Sequence, residues 1–408
     1  FTIKCCSILI YFPRKGCPKH IKRYSIRKNP FMKKRIAIIG ARYLQLPAVK
    51  KAQALGYEVL CFAWRKGAVC ANVADYFFPI STVDKEEILK VCQEYQIDGI
   101  CTIASDTSTL AVNYVAERMH LVGNPDSYSE YRTNKYLMRQ CFKDNNIPSP
   151  KFCEVLGDED LEKCTSLRYP IIVKPTDRSG SLGVEKVERP EDLLHAVHRA
   201  MKQSFKKQTI VEEFVDGREV SVESISIDGK HYILQITDKI TTGEPFFVEL
   251  AHHQPSNLPE GVQNKIRSIV ISALNALKVL NGASHSELKI TCDGDIKVIE
   301  IGARMGGDFI GSDLVKLSIG YDFLEGIIQI AMGEKKPPKI TKHLFSGVFF
   351  LSEETKEILP IIKNWEKYPN IVKAEITDPI LHHIESSGDR SGYFIYQSKE
   401  RRLEINDF

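Results

Sequence analysis

The sequence predicts a mixed α/β and α+β protein, with a doubly wound, Rossmann-like lobe first and hairpin-rich regions after it. Between residues 35 and 103, short apolar runs alternate with helix-like segments, as in parallel sheets that are covered by helices. From residue 209 onward, runs of alternating polarity are separated by Asp-Gly pairs, which are a strong short-range signal for a hairpin.

The composition is that of an ordinary globular protein. The 408 residues suffice for about two to four domains, and 43% are hydrophobic and 26% charged. No apolar run approaches the roughly 18 residues of a membrane span, so we expect no membrane partner. Eight of the 56 basic residues lie in residues 1–31, which contain no acid, and the remainder has 48 basic against 52 acidic residues. This body shows no basic stripe, so we expect no nucleic-acid partner.

Residues 1–31 are basic and show neither a clear period nor a clean small-residue cleavage site. We expect either that Met32 is the natural start or that the segment is a disordered arm, and in both cases that it is dispensable. A basic segment that attaches to a membrane surface is the alternative.

Eleven cysteines are scattered along the chain. Several of them, such as Cys61 and Cys101, lie inside apolar runs. This is typical of reduced, buried thiols, so we expect a cytoplasmic protein.

The first lobe begins with a predicted buried strand at residues 35–40 and a helix at residues 47–55. The loop between them lacks the glycines of the dinucleotide fingerprint, so we expect no NAD. Open α/β sheets bind ligands at the carboxyl ends of their strands, where Arg42, Gln45 and Asp106 lie. Loop polarity alone would explain these residues equally well.

The region from residue 133 to 219 contains two lysines and a small-residue loop that suit phosphate binding. Lys135 lies at the start of a predicted helix, and Lys174 comes directly after an apolar run. Exposed amides of the following loop can cover phosphates, although the loop lacks the Gly-Lys-Ser/Thr of a Walker A motif. The small residues of this loop are Ser179, Gly180, Ser181 and Gly183.

The last Asp-Gly hairpin carries the main prediction of a functional site. With the Asp-Gly pair at 293–294 as the turn centre, Cys292 pairs with Asp295, and Glu287 lies opposite Glu300. Opposed side chains have Cβ atoms about 4.5–5.5 Å apart, so these two carboxylates should repel. A cation bound between the two carboxylates would offset their repulsion, and Mg²⁺ suits carboxylate and phosphate oxygens. The simpler alternative, a solvated hairpin face, fits poorly with the apolar residues of both strands.

Several short motifs follow one another in order: Lys135, Val173-Lys174-Pro175, the loop at 179–183, the segment 212–219, Glu287, and the run at 300–307. Together they resemble the ATP-grasp superfamily of carboxylate–amine ligases. The resemblance covers nearly everything from residue 33 onward and implies a two-lobed ATP-grasp fold between the first lobe and a small C-terminal subdomain. We therefore expect domains at 32–127, 128–334 and 335–408, after the extension at 1–31.

The resemblance also implies roles for individual residues. Lys135 and Lys174 would hold the phosphates of ATP, helped by the small-residue loop. Glu287 and Glu300 would bind Mg²⁺, with Mn²⁺ as an alternative, and Arg304 would act with Lys174 on the transferred phosphoryl group. The residues implied to contact adenine and ribose are Glu212, Glu213, Phe214, Val215 and Glu219.

The implied reaction joins a small carboxylate to an amine through an acyl phosphate and releases ADP and phosphate. Glu249, His252 and the run after Arg304 are most similar to ligases of amino acids. We expect the acid to bind between Asp106 and the segment 249–304, with Glu249 or His252 receiving the amine. A solvated loop histidine is the simpler explanation of His252. The residues expected at the substrate are Asp106, Glu249, His252, Arg304, Gly306 and Gly307.

Other interpretations stay open. The purine-biosynthesis and carbamoyl-phosphate branches share the same frame, and a non-catalytic ATP-binding regulator is the alternative from another class. Gly302 lies where the superfamily commonly has an asparagine metal ligand, so either water replaces that ligand or metal affinity is weaker. The expected partners are small molecules, and a homodimer is left open.

Overall fold

The computed structural model of the protein describes residues 33–180, 182–244 and 246–408. The predicted extension at 1–31 and the loop residue Ser181 lie outside the described residues. Within the described range, the strands form three β-sheets. None of the helices described there is long and apolar enough to cross a membrane.

A parallel four-stranded sheet forms the first lobe, because its strands are short apolar runs that helices cover. This arrangement confirms the predicted doubly wound lobe. The strands, in the spatial order β3-β2-β1-β4, are β1 (Arg35–Ile39), β2 (Glu58–Phe62), β3 (Tyr76–Phe78) and β4 (Gly99–Cys101), and the helices are α1 (Leu46–Ala54), α2 (Lys85–Glu94) and α3 (Ser108–Arg118).

Helix α4 (Lys135–Asp144) begins where the sequence predicts it. The side-chain oxygen of Asn134 accepts hydrogen bonds from the amides of Tyr136 at 3.0 Å and Leu137 at 3.1 Å. Such an N-cap stabilises a helix by about 1 kcal/mol. The cap therefore fixes Lys135 as the first residue of the helix.

An antiparallel four-stranded sheet follows, in the spatial order β5-β8-β6-β7. Lys174 lies opposite Ile210 and therefore shares a face with Glu212, two residues farther along. Helix α5 packs Val197 against this sheet. The elements are β5 (Phe152–Val155), β6 (Ile171–Pro175), β7 (Glu185–Val187), β8 (Thr209–Glu213) and α5 (Leu193–Gln203).

An eight-stranded antiparallel sheet forms the centre of the molecule, in the order β13-β12-β9-β10-β11-β14-β16-β15. Its last three strands come from the predicted C-terminal subdomain, so the sheet continues across residue 335. The predicted domain boundaries stay predictions. The strands are β9 (Arg218–Ile227), β10 (Lys230–Thr241), β11 (Glu249–Gln254), β12 (Gly282–Ile290), β13 (Ile296–Gly302), β14 (Phe345–Leu351), β15 (Ile371–Ile376) and β16 (Gly392–Ser398), and the helices are α6 (Glu260–Ala276), α7 (Val315–Ile319), α8 (Phe323–Ala331) and α9 (Leu359–Lys363).

The hairpin of β12 and β13 differs from its prediction in the turn but not at the site. The predicted pairing of Cys292 with Asp295 is wrong, because the strands already end at the pair formed by Ile290 and Ile296. A β-bulge next to Glu287 then shifts the register by one residue. Because of this shift, Glu287 does lie opposite Glu300, as predicted.

The segment at 246–259, predicted as a loop, contains strand β11. Its residues pair with β10 on one side and β14 on the other. The loop prediction was wrong because two adjacent histidines and flanking prolines obscure the alternation. Glu249 and His252 are therefore on a strand of the central sheet.

A hydrophobic core joins the first lobe to the central sheet. Ile38 and Val49 of the lobe, Ile225 of β9, and Phe323 and Ile327 of α8 belong to one buried cluster. Each of these side chains is at most 5% exposed, so the core fixes how the loops of the first lobe meet the sheet.

Candidate functional site

One face of the central sheet, here called the polar face, gathers most of the candidate residues. Directly paired residues of neighbouring strands share a face of a sheet. Glu300 pairs with Glu287, Glu287 pairs with Ser221, and Lys239 pairs with His252. The members of the polar face, from β13 to β11, are Glu300, Gly302, His285, Glu287, Lys289, Glu219, Ser221, Glu223, Lys239 and His252.

Basic side chains hold the two opposed carboxylates. Glu300 accepts a hydrogen bond from Lys135 Nζ at 2.6 Å. Glu287 Oε1 lies 3.2 Å from Lys239 Nζ and 3.3 Å from His285 Nε2. Burial would raise the pKa of Glu287, but these two cations hold it well below its usual range. Glu287 is therefore ionised at neutral pH.

The opposed pair fits a divalent cation that prefers oxygen ligands. Two carboxylates on adjacent strands supply such ligands, and Mg²⁺ takes its other ligands from phosphates and water. Among the described residues, no group of three or more His, Cys, Asp and Glu side chains comes together as a ready metal cluster. Gly302 lacks a side chain and adds no metal ligand. The protein therefore offers the cation two carboxylates, those of Glu287 and Glu300.

Lys239 lies at the centre of the polar face and was missed by the sequence analysis. Its ammonium lies 2.5 Å from Glu219 Oε1 and 3.2 Å from both Glu249 Oε1 and Glu287 Oε1. Burial alone would lower its pKa, but the three carboxylates raise it well above its usual value. Extending the predicted hairpin at 218–236 by three residues would have placed Lys239 beside Glu219.

Lys174 and Glu212 form a buried ion pair of 2.6 Å on the second sheet. The other oxygen of Glu212 lies 2.6 Å from Arg139 Nε. Burial would raise the pKa of Glu212, but Arg139 and Lys174 lower it, whereas burial lowers the pKa of Lys174. The Glu212 carboxylate is thus engaged within the protein, which leaves only its backbone for the adenine contact that the resemblance implies.

The segment after β8 presents an aromatic surface. The Phe214 ring lies 6.3 Å from the Phe247 ring and 5.2 Å from the ammonium of Lys289. Glu213 Oε1 accepts a hydrogen bond from a backbone amide at 3.1 Å. An apolar ring surface of this kind suits a flat heterocycle such as adenine.

The small-residue loop between β6 and β7 borders a cavity of about 150 Å³. Gly180 and Gly183 adopt φ angles of +67° and +76°, which favour glycine. The cavity brings the loop together with residues from three other elements of the predicted site. The predicted residues that line it are Ser179, Lys135, Glu300 and Asp106.

Arg304 is bound by Asp106 of the first lobe. Nε and Nη2 of Arg304 each donate to one oxygen of the carboxylate at 2.9 Å. Burial would lower the pKa of Arg304 and raise that of Asp106, but the pairing reverses both shifts. A Cβ at Gly302 would lie 2.5 Å from Asp106 Oδ1, so a side chain there would force the ion pair to shift.

His285 is a second residue that the sequence analysis missed. Its Nδ1 binds Glu223, and the Gly306 amide donates to the other oxygen of Glu223 at 3.3 Å. Burial would lower the pKa of His285, but Glu223 and Glu287 raise it to about 9. A Cβ at Gly306 would lie 2.6 Å from His285 Nδ1, whereas Gly307 faces the loops of the first lobe.

Beyond Lys239, a second group of charged side chains is centred on Glu249. Arg390, which precedes β16, donates to Glu249 Oε2 at 2.9 Å and to Asp308 Oδ2 at 2.8 Å. Its guanidinium also lies 3.9 Å from the centre of the Phe350 ring. Burial would raise the pKa of Glu249, but Lys239, with smaller contributions from His252 and Arg390, lowers it to about 2. Glu249 and Asp308 are thus the two carboxylates of this group, and Lys239 and Arg390 are its two cations.

His252 is buried, which corrects the interpretation of a solvated loop histidine with a pKa near neutrality. Its side chain is 1% exposed, and neither ring nitrogen has a hydrogen-bond partner among the described residues. Burial lowers its pKa to about 4. His252 therefore presents a neutral imidazole on the polar face, next to Glu249. Its neighbour His253 lies on the opposite face, hydrogen-bonded to Tyr396 at 2.9 Å.

Comparison with known proteins finds a domain match and several relatives. A family model described as "ATP-grasp domain" matches residues 167–313. An alanine–anticapsin ligase of Bacillus subtilis (strain 168) is 28% identical over 245 residues, covering 54% of this chain and 51% of the relative. A formate-dependent phosphoribosylglycinamide formyltransferase of Prochlorococcus marinus (strain MIT 9515) is 27% identical over 263 residues, covering 60% of this chain and 64% of the relative. The chain thus spans about half of the length of the first relative.

The fold is also that of solved ATP-grasp structures. An L-amino acid ligase from Bacillus licheniformis superposes with a TM-score of 0.75 at 23% identity, covering 90% of this chain and 94% of that one. This likeness places the chain in the same fold class as that ligase. Residues 167–313 match the ATP-grasp domain, and the chain is similar to amino-acid ligases and to enzymes of purine biosynthesis.

Proposed function

We propose that the protein is an ATP-dependent ligase that activates a small carboxylate, an amino acid, as an acyl phosphate and joins it to an amine. The observation that carries the proposal is the convergence of Lys135, Glu300, Glu287 and Arg304 on one edge of the polar face. A nucleotide bound with its base near Phe214 would direct its phosphates toward this edge.

In the proposed first step, an oxygen of the substrate carboxylate attacks the γ-phosphorus of ATP, and the bond to the β-phosphate oxygen breaks to release ADP. Phosphoryl transfer depends mainly on positioning and charge neutralisation. Lys135 and Lys174 would neutralise the phosphates, and Nη1 of Arg304, which does not contact Asp106, would steady the transferred group. Mg²⁺, when bound to Glu287 and Glu300, would add positive charge at the phosphates.

In the proposed second step, the bound ammonium ion first gives up one proton to the solvent, and the resulting amine attacks the acyl carbon. Phosphate leaves, and the nitrogen gives up a second proton as the amide forms. Glu249 and Asp308 would attract the amine as an ammonium ion. Among the described residues the ring nitrogens of His252 have no partner, so they can accept the second proton, and the pKa of about 4 means that His252 passes this proton on rather than keeps it. The small-residue loop would exclude water from the acyl phosphate.

Two candidate substrate classes remain, and the charges favour amino acids. An amino acid carries a carboxylate and an ammonium, which match Arg304 on one side and the acids beyond Lys239 on the other. The similarity to an alanine–anticapsin ligase supports this choice. A purine-pathway substrate is the second candidate, because the similarity to the formyltransferase is of the same size. The cytoplasmic location and a homodimer stay predictions.

The test is a screen for ADP and phosphate release with pairs of amino acids and with each amino acid alone. We expect ADP formation that depends on Mg²⁺ and on an amino acid, and a condensed product only with both partners. Glu300→Gln is the inactive control. If a purine-pathway carboxylate or bicarbonate alone stimulates ADP formation, the amino-acid assignment is wrong. If no carboxylate in a broad panel does, the ligase assignment is wrong and a non-catalytic ATP-binding regulator becomes the favoured alternative.

A further inference from the structure

The strand that carries Glu300 is an edge strand, and other elements complete its hydrogen bonding. β13 has a strand neighbour on one side only. On the other side, the Val298 amide donates to the Pro148 carbonyl at 2.8 Å, and the Ile301 amide approaches Met138 Sδ at 3.4 Å. Helix α4 and the segment after it therefore take the place of a neighbouring strand.

The β-bulge of β13 is held by Arg139 of the same helix. Ile299 is the extra residue that lets Glu300 lie opposite Glu287. Its carbonyl accepts a hydrogen bond from Arg139 Nη2, and Arg139 is 0% exposed. Bulges re-aim side chains, so the contact at Ile299 sets the direction of the next side chain, Glu300.

The same guanidinium reaches the phosphate-binding side of the site. Arg139 Nε lies 2.6 Å from Glu212, and the other oxygen of Glu212 lies 2.6 Å from Lys174 Nζ. One helical turn before Arg139, Lys135 donates to Glu300 at 2.6 Å. Residues four apart on a helix share a face, so α4 holds both ends of this chain of contacts.

We propose that Arg139 is a positioning residue that ties the phosphate lysine Lys174 to the metal carboxylate Glu300, through Glu212 and the Ile299 carbonyl. Arginine suits this role because separate nitrogens of its guanidinium reach the Ile299 carbonyl and the Glu212 carboxylate, whereas lysine has a single ammonium. The proposal rests on the proposed binding of Mg²⁺ and ATP. The expected effect of Arg139 is specific. Mg²⁺ and the phosphates of ATP strengthen each other's binding only while Arg139 contacts both Glu212 and the Ile299 carbonyl.

The test compares Arg139→Lys with Arg132→Lys by calorimetry. Arg132 is 1% exposed and donates to backbone carbonyls of Leu277 and Pro125, away from the site, so it is a matched buried arginine. ATP is titrated into the whole protein without a carboxylate substrate, at a series of Mg²⁺ concentrations and in EDTA. The readout is the metal factor, defined as the ratio of ATP affinity with Mg²⁺ to that without it.

We expect Arg139→Lys to reduce the metal factor about tenfold or more, the usual effect of losing a residue that orients a metal ligand. Arg132→Lys should leave the metal factor unchanged even where it lowers the melting temperature. Equal metal factors in the two variants would overturn the proposal, whereas a wild type without any metal factor would overturn the proposed function. If Arg139→Lys does not fold, Glu212→Asp replaces it with the same expected loss, and an unchanged metal factor there overturns the proposal.

Discussion

Asp106 and Arg304 form an ion pair with two parallel hydrogen bonds of 2.9 Å that joins the first lobe to the central sheet. Gly302 makes this pair possible, because a side chain at that position would begin 2.5 Å from Asp106 Oδ1. Gly302 therefore lies against the contact between the first lobe and the central sheet, and it leaves room for the fixed position of Arg304.

Gly302→Ala should destabilise the protein through Asp106. We expect a loss of about 1–3 kcal/mol in the free energy of unfolding, the range for overpacking a buried site. In an Asp106→Ala background, the same alanine should cost much less, because the clashing carboxylate is gone. Urea unfolding of the wild type, both single variants and the double variant measures this coupling. Costs that add within about 0.5 kcal/mol would show that the two positions are independent.

Glu287→Gln should weaken Mg²⁺-dependent ATP binding and also lower the stability of the ligand-free protein. Repulsion from Glu300 alone would predict a gain in stability, but Lys239 and His285 stabilise the Glu287 carboxylate. Because its folded-state pKa is depressed, this contribution is present above the unfolded pKa of about 4.3 and lost as the pH falls further.

The measurement for Glu287→Gln is the melting temperature between pH 3 and pH 8, together with ATP calorimetry. Asp295→Asn, on the same hairpin and 72% exposed, is the control and should change neither property. A variant as stable as the wild type at pH 7 would contradict the assigned role of Lys239 and His285.

His285 should make stability decrease at alkaline pH. Its pKa is raised from 6.5 to about 9, so the charged form stabilises the fold below pH 6.5. This contribution decreases as the pH rises through 9 and amounts to roughly 3 kcal/mol. We expect His285→Gln to be less stable than the wild type at pH 6 and closer to it at pH 10. His231→Gln is the control, since burial lowers the pKa of His231. This variant should show the same decrease of stability between pH 6 and pH 10 as the wild type.

His252→Phe should abolish amine-dependent product formation while ATP binding is retained. Phenylalanine preserves the edge-to-face contact with Phe350, at 5.6 Å between ring centres, but removes the nitrogen that could accept a proton. His253→Phe is the matched control, because its ring lies on the other face of β11, and it should keep its turnover. Equal product formation by both variants would exclude His252 as a base.

The opposed carboxylates were predictable from local pattern, but partly for the wrong reason. Counting from the Asp-Gly turn places Glu287 opposite Glu300 only because an error of one residue at the turn is cancelled by the bulge at Ile299. Turn type and bulges depend on the neighbours of a strand, here Arg139 and Pro148, which a strand pattern does not contain.

The first lobe and the residues on regular strands and helices, such as Lys135 and Lys174, could be predicted because periodicity and caps are local. The partners of those residues could not. Lys239, His285 and Arg390 come from separate strands or from the loop before β16, and only the order of strands in the sheet brings them to the polar face. The burial of His252 depends in the same way on β14, which lies almost 100 residues farther along the chain.

The pairing of β11 with β14 has a consequence for the integrity of the chain. Residues 335–344 form an exposed connection without regular structure, while β14 is bonded to β11 through four residue pairs. A protease that cuts this connection would therefore leave two fragments associated by main-chain hydrogen bonds and by a shared core. Arg390 would remain at Glu249 after such a cut, so the nicked protein would keep its site and come apart only in denaturant.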